Sequence, residues 1–282
     1  MRFTFGSWNI NKRFSERHVE FLRDADCDLL AVQECTVKVH AELSRAGLFE
    51  WFRSSLSLRP QLPGEGSERA LGCSIFGRNM FQLGGCDVRP ELHLPERSLV
   101  AGTLSREGPF TVCSFHVPPA TGGRRVDGKK VLRGRIKPET QRAIAMWLAA
   151  QDGPVVVGID ANTPKTDHPD HQLIEWWWKN DEPLLLGHQP VHKLRDAFRV
   201  YLRDRPEALE RIWRERPTGP LAISHHRGSG IHRVDCRYDF VLVSDDIAVK
   251  GVEHRLDSSL SDHALVIASL DLQPAQVASV SS

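Results

Sequence analysis

The chain has no long apolar run, no C-x-x-C pair, no internal repeat and almost no net charge, and each absence excludes something. Without a stretch of about 20 apolar residues, no segment is expected to cross a membrane. A net charge of +1 gives no overall field for a polyanion, so affinity for phosphates has to come from a local patch or a bound cation. The six cysteines (Cys27, Cys35, Cys73, Cys86, Cys113, Cys236) are scattered, several of them inside apolar runs such as FTVCSFHV. They read as small buried hydrophobes rather than a zinc cluster or disulfide framework, which suits a reducing cytosol. The opening MRFTFGSWNI has neither the apolar core nor the cleavage site of a secretory signal. The expectation is a soluble, cytoplasmic protein with one domain over residues 1–272 and a flexible tail over 273–282.

What is present is a sequence of short apolar runs interleaved with a few helical patterns. Residues 2–8 alternate as a strand, and Ser15 is placed to cap a helix through RHVEFLRDA. DLLAVQE follows as a buried strand, then a helix over TVKVHAELSRAG that ends at Gly47. LGCSIFG, FQLGGCDV, SLVAGTL, PFTVCSFHV and GPVVVGID read as further strands. PETQRAIAMWLAAQ is expected to be a helix with Pro138 in its first turn. Residues 170–216 look mostly helical, HQLIEWWWKN included, and PLAIS, RYDFVLVS and ALVIASLDL close the chain as strands. Many strands with few helices favour two sheets covered by helices.

Several of these strands end in acid, amide or imidazole groups. DLLAVQE ends at Glu34, PVVVGIDAN at Asp160 and Asn162, and Asp262-His263 precede the final strand. Converging carboxylates repel unless a cation joins them, and oxygen-rich clusters without thiolates suit magnesium or manganese. Each residue also has a plain reading. Glu34 and Asp262 alone would be strand-end charges in water, Asp160 and Asn162 would shape a turn, and His116 would be a loop histidine. Asp239 resists such a reading, because an unpaired carboxylate inside YDFVLVS would be costly to bury.

The motifs SWNIN, LLAVQE, SFHVPP, GIDAN, RYDFVLVS and SDHALV occur in that order from residue 3 to about 270. Together they resemble the endonuclease/exonuclease/phosphatase superfamily of deoxyribonuclease-like phosphodiesterases. The resemblance implies a four-layer α/β sandwich, two packed mixed β-sheets flanked by helices, with the site at one edge. It implies Mg2+ or Mn2+ held by Glu34, Asn9 and Asp262. It further implies that Asp160 orients or deprotonates the attacking water and that Asn162 holds a phosphoryl oxygen. His263 would contact the scissile phosphate with Asp239 fixing its ring, and His116 would be a second histidine of the site. The glycine- and tyrosine-rich strand and the T-x-W element of abasic-site enzymes are missing. Lys12 stands where many relatives have glycine.

Two further features bear on substrate. Arg124, Arg125, Lys129, Lys130 and Arg133 lie in a glycine-containing loop that follows His116, which makes them candidate phosphate contacts or an ordinary solvated face. Trp176-Trp177-Trp178 suggest base stacking, although on a helix two of the three would pack into the core. His225, His226 and His232 read as loop histidines. The expected function is therefore a metal-dependent nuclease with DNA or RNA as partner. The alternatives are a phosphoesterase for a small or lipid phosphate and an inactive binding module on the same scaffold.

Overall fold

The run Val155–Asp160 is buried along its whole length, which a strand can satisfy only between two layers. In the computed structural model, Val155, Val157 and Ile159 face a helical layer while Val156 faces a second sheet. The structure describes residues 1–120, 123–126, 129–228 and 232–273, with the side chains of 121–135 outside that description. Residues 274–282, most of the expected tail, also lie outside it.

In chain order the strands of the two large sheets begin with β1 (Arg2–Asn9), β2 (Leu29–Cys35), β3 (Trp51–Ser54), β4 (Gly72–Gly77), β5 (Gln82–Asp87), β6 (Ser98–Ser105) and β7 (Gly108–His116). A hairpin, β8 (Gly123–Val126) and β9 (Lys129–Leu132), comes next, followed by β10 (Val155–Asp160) and β11 (Arg195–Asp196). A second hairpin is β12 (His225–Arg227) and β13 (Val234–Cys236), and the chain closes with β14 (Asp239–Val243), β15 (Ile247–Arg255) and β16 (Leu265–Leu272). One sheet has the order β15-β16-β1-β2-β4-β3, the other β11-β14-β10-β7-β6-β5. Both are mixed: β1 runs parallel to β2 and antiparallel to β16, and β10 runs parallel to β7 and antiparallel to β14. The expected four-layer α/β sandwich is what forms. Its two chain ends are joined in one sheet by the β1–β16 pairing.

Phe3, Phe5, Leu29, Ala31, Val112, Val156, Val241 and Val266 fill the space between the sheets. Helices α1 (Glu16–Ala25) and α2 (Val37–Arg45) cover one outer face with Leu22, Ala25, Val39 and Leu43. On the other outer face, α4 (Arg133–Ala149) and α5 (Glu182–Leu186) contribute Ile144, Ala145, Leu148, Leu185 and Leu186, while the short α3 (Ser55–Leu58) packs at the β4 edge. The sheets approach closely where Gly158 faces Ser7 and Ala31. A Cβ at Gly158 would lie 2.6 Å from Ser7 Oγ.

Several local expectations fail for identifiable reasons. Ser15 occupies the cap position of α1, but its hydroxyl meets His18 Nδ1 at 2.9 Å instead of capping the backbone. Residues 170–216 are helical only in α5, α6 (Ala197–Arg203) and α7 (Pro206–Glu215) and a short 3-10 turn. The tryptophan triplet lies in irregular chain because Glu182 Oε2 accepts the backbone N–H groups of Trp177 and Trp178. PLAIS forms no strand, and Gly219-Pro220 is cis there. The basic segment is a paired hairpin, β8–β9, rather than an open loop, and α4 starts early enough to leave Pro138 inside it.

Candidate active site

Three neighbouring strands of one sheet end on a single rung: Asp160 on β10 pairs in register with His116 on β7 and with Asp239 on β14. From the other sheet come Asn9 at the end of β1, Glu34 in β2, and Asp262-His263 just before β16. The eight residues singled out in the sequence thus meet at one edge of the sandwich. Glu34 leaves the strand alternation through a register shift between Val32 and Cys35, with φ of +49°. Holding a non-glycine residue there costs on the order of 1–3 kcal/mol, which fits an orientation the site requires. Asn11 and Lys12 also have positive φ, 48° and 60°.

Asp160 is fully buried and well held. Its Oδ2 accepts from Asn9 Nδ2 at 2.8 Å and from Asn162 Nδ2 at 3.1 Å, and its Oδ1 accepts the Asn162 backbone N–H at 3.0 Å. Burial pushes its pKa up to about 7 against the opposing pull of His263. The second hydrogen of Asn162 Nδ2 goes to Val117 O at 2.9 Å. In this geometry Asn162 therefore supports Asp160 and has no free amide N–H for a phosphoryl oxygen.

His263 Nδ1 lies 2.9 and 3.1 Å from the two oxygens of Asp239, which is itself buried. Burial disfavours the imidazolium, but the charges of Asp239 and Asp160 outweigh it and push the pKa up to about 10. The ring is thus a cation at neutral pH, with Nε2 left to donate. His116 behaves oppositely. Burial, then the neighbouring Arg97 guanidinium, holds it well below its ordinary value, so it is neutral. Its Nε2 is 3.5 Å from Asp160 Oδ2 and 3.7 Å from Glu34 Oε1.

Arg97 was not among the sequence candidates. Its Nη1 lies 3.2 Å from the His116 ring nitrogens, and Nη2 donates to Glu68 at 3.2 Å. A signal for it exists: β6 and β7 are joined by the two-residue turn Arg106-Glu107, and counting back along their register sets Arg97 opposite His116. His225 also proves closer than a loop histidine, stacked on His263 with ring centroids 4.3 Å apart. His226 instead pairs with Asp235 in the β12–β13 hairpin, and His232 is exposed.

The donor set fits a hard divalent cation. The contacts of the Glu34 carboxylate with Lys12 and His116, both 3.7 Å, are too long for hydrogen bonds, so its oxygens keep their coordinating capacity. Two groups of ligand-capable atoms within 4.8 Å of one another, His225/Asp262/His263 and Asp160/Asp239/His263, are each built around His263. A protonated imidazole is no ligand, which leaves the oxygen donors as the better match.

A family model for the Endonuclease/Exonuclease/phosphatase family matches residues 6–263. The chain belongs to this family. It is accordingly a hydrolase acting on phosphate ester bonds, in a family of divalent-metal-dependent enzymes. Among solved structures, an endonuclease/exonuclease/phosphatase from Bacteroides vulgatus is similar, with a TM-score of 0.61, 14% identity, and coverage of 97% of this chain and 100% of that one. TDP2 from Caenorhabditis elegans gives a TM-score of 0.60 and 15% identity, over 96% of this chain and 75% of that one. TDP2 from Danio rerio, complexed with single strand DNA product, gives 0.59 and 11%, over 96% and 99%. At such identities the likeness establishes the fold. Comparison with curated protein sequences gives no match. Among the described residues, no helix is long and apolar enough to cross a membrane.

Proposed function

We propose that this family member is a Mg2+- or Mn2+-dependent nuclease that hydrolyses phosphodiesters of DNA or RNA, with residues 1–272 as its catalytic domain. The observation that carries the reading is the opposition of a buried, hydrogen-bonded Asp160 to a buried Asp239–His263 pair across the strand ends. Glu34, Asn9 and Asp262 would hold the cation, which when bound supplies positive charge against the phosphoryl oxygens. Asp160, titrating near neutrality and fixed by Asn9 and Asn162, orients the attacking water and accepts its proton. His263, kept cationic by Asp239, donates through Nε2 to a phosphoryl oxygen as negative charge builds there. Neutral His116 adds no further positive charge beside Asp160 and stays available as a hydrogen-bond partner at the same phosphate.

Nucleic acid as substrate is supported by Arg124, Arg125, Lys129, Lys130 and Arg133, which follow the strand that delivers His116. Their side chains lie outside the described residues. A structural neighbour solved with a single-strand DNA product points the same way. Cytoplasmic location is supported by six free cysteines, five of them buried.

The test is cleavage of end-labelled single- and double-stranded DNA and RNA with Mg2+, with Mn2+ and with chelator, alongside Asp160→Asn protein. Metal-dependent cutting that the variant lacks supports a nuclease. Turnover confined to bis-p-nitrophenyl phosphate would move the assignment to small or lipid phosphoesters. Silence on every substrate would leave a binding module.

A further inference from the structure

Beside the proposed catalytic centre, and not used by it, is a pocket of about 280 Å³ that includes Asn162, Trp177, Trp178, His225, Arg227 and Tyr238 in its walls. We infer that this pocket is a nucleobase subsite, which makes the enzyme prefer nucleotides over base-free phosphoesters. The inference rests on reading the adjoining site as a phosphodiesterase.

Two connections join pocket and site. Asn162 contacts Asp160 and also lines the pocket. Two other lining residues, Tyr238 and His225, form a run of stacked rings with His263, with centroids 5.4 and 4.3 Å apart. A group bonded through a few atoms to the phosphate at His263 therefore reaches this pocket.

A buried ion pair braces the pocket. Lys137, buried with 2% of its side chain exposed, pairs with Glu182 Oε1 at 3.1 Å and donates to Asn162 O at 2.5 Å. Glu182 Oε2 in turn accepts the Trp177 and Trp178 N–H groups at 2.7 and 3.1 Å. One buried ion pair thus ties the tryptophan segment to the Asn162 turn. Trp177 stays 39% exposed, a large apolar surface held in place at the rim.

The chemistry selects the occupant. The indoles of Trp177 and Trp178 supply flat aromatic surface, which suits a planar heterocycle, while His225 is already stacked on Tyr238 and His263. Arg227 lies 4.8 Å from the Trp177 ring centroid and Lys137 Nζ lies 5.0 Å from that of Trp178. Lys137 is taken up by Glu182, so Arg227 is the cation that suits an adjacent phosphate and disfavours an acyl chain. The volume is near the lower end of the roughly 300–1,000 Å³ typical of ligand pockets, room for one ring system with its sugar. A base-free sugar phosphate would leave the aromatic walls without a partner.

The test measures how nucleoside monophosphates (adenosine 5′- and 3′-monophosphate) and ribose 5-phosphate inhibit the Mn2+-dependent hydrolysis of bis-p-nitrophenyl phosphate by the full chain. Titration calorimetry of the same ligands runs in parallel. Stacking one base on an aromatic ring corresponds to roughly 5- to 150-fold in affinity. The better nucleotide should therefore bind at least about 10-fold more tightly than the sugar phosphate. Trp177→Ala should shrink that ratio to about 3-fold or less, Trp177→Phe should restore most of it, and Arg227→Ala should weaken both ligands while leaving the ratio in place. The ratio is read within each variant, so a general loss of activity cancels. A wild-type ratio near one, or a ratio indifferent to Trp177→Ala, overturns the subsite. Absence of metal-dependent hydrolysis overturns the catalytic reading instead, and calorimetry still decides the base preference.

Discussion

Replacing Asp239 with asparagine removes one negative charge and little else. The amide keeps the shape of the carboxyl, and its oxygen still accepts from His263 Nδ1, now at 2.9 Å from Asp239 Oδ2. His263 is raised from 6.5 to about 10 despite burial, chiefly by Asp239 and then by Asp160. An opposite charge at this distance usually moves a pKa by about 1–3 units, so Asp239→Asn should lower the His263 value by roughly 2 units, about 3 kcal/mol. Two assays read it. In metal-free protein, the His263 ring titration followed by NMR should move down toward about 8. In the metal-loaded enzyme, the alkaline limb of kcat/KM should move down with it, since His263 has to be protonated to donate. Stability changes in the matching sense. A raised histidine pKa contributes fully below 6.5 and is lost as pH rises through about 10, so wild type should lose stability over that window and Asp239→Asn should lose less. Identical titrations and identical alkaline limbs in the two proteins would refute the pairing as the source of the imidazolium.

Glu34→Gln should raise the metal concentration for half-maximal activity at least about tenfold while leaving the melting temperature in chelator unchanged. Titration of activity with Mn2+ and a thermal scan check both halves. Gly158→Val places a Cβ 2.6 Å from Ser7 Oγ and 2.8 Å from Ala31 Cβ, and overpacking of that kind costs about 1–3 kcal/mol. Calorimetry should show a melting temperature lower by roughly 3–10 °C. Asp196 is half-buried; desolvation would raise its pKa, but the Arg237 guanidinium outweighs that and holds it down at about 2. The stability it contributes, roughly 2 kcal/mol, is present above 3.8 and lost as pH falls through about 2. Asp196→Asn should therefore be clearly less stable at pH 7, and urea midpoints should show the gap narrowing between about pH 4 and 2.

The candidate constellation was legible because most of its residues stand at one end or the other of an apolar run, and a strand end is a local feature of sequence. The same holds for the sandwich: a run such as VVVGID, buried on both faces, has to lie between layers. What escaped were contacts decided by distant partners. The tryptophan triplet has no helical fate because Glu182 takes its backbone N–H groups. Ser15 prefers a ring nitrogen that its own helix presents. The role of Lys137 depends on Glu182, forty-five positions away, and no periodicity announces that pair. Arg97 sits between these cases, since its partner follows from the register of one hairpin.

The rung Asp239–Asp160–His116 explains why the site needs two sheets. Carboxylates directly opposite one another on neighbouring strands repel, so a sheet carrying Asp160 beside Asp239 would be penalised on its own. The other sheet resolves the conflict by giving the two acids different partners. His263 takes the charge of Asp239, and Asn9 donates to Asp160. The spacing that allows this is set at the inter-sheet contact. There Gln33 Nε2 donates to Ser114 Oγ at 3.1 Å, Ser114 Oγ donates to Val32 O at 3.1 Å, and Gly158 leaves room for Ser7. Since Asn9 and Gln33 are register partners on β1 and β2, a shift at that polar contact displaces the donor that holds Asp160. Tight packing between the sheets and correct protonation at their edge are therefore one property of the fold.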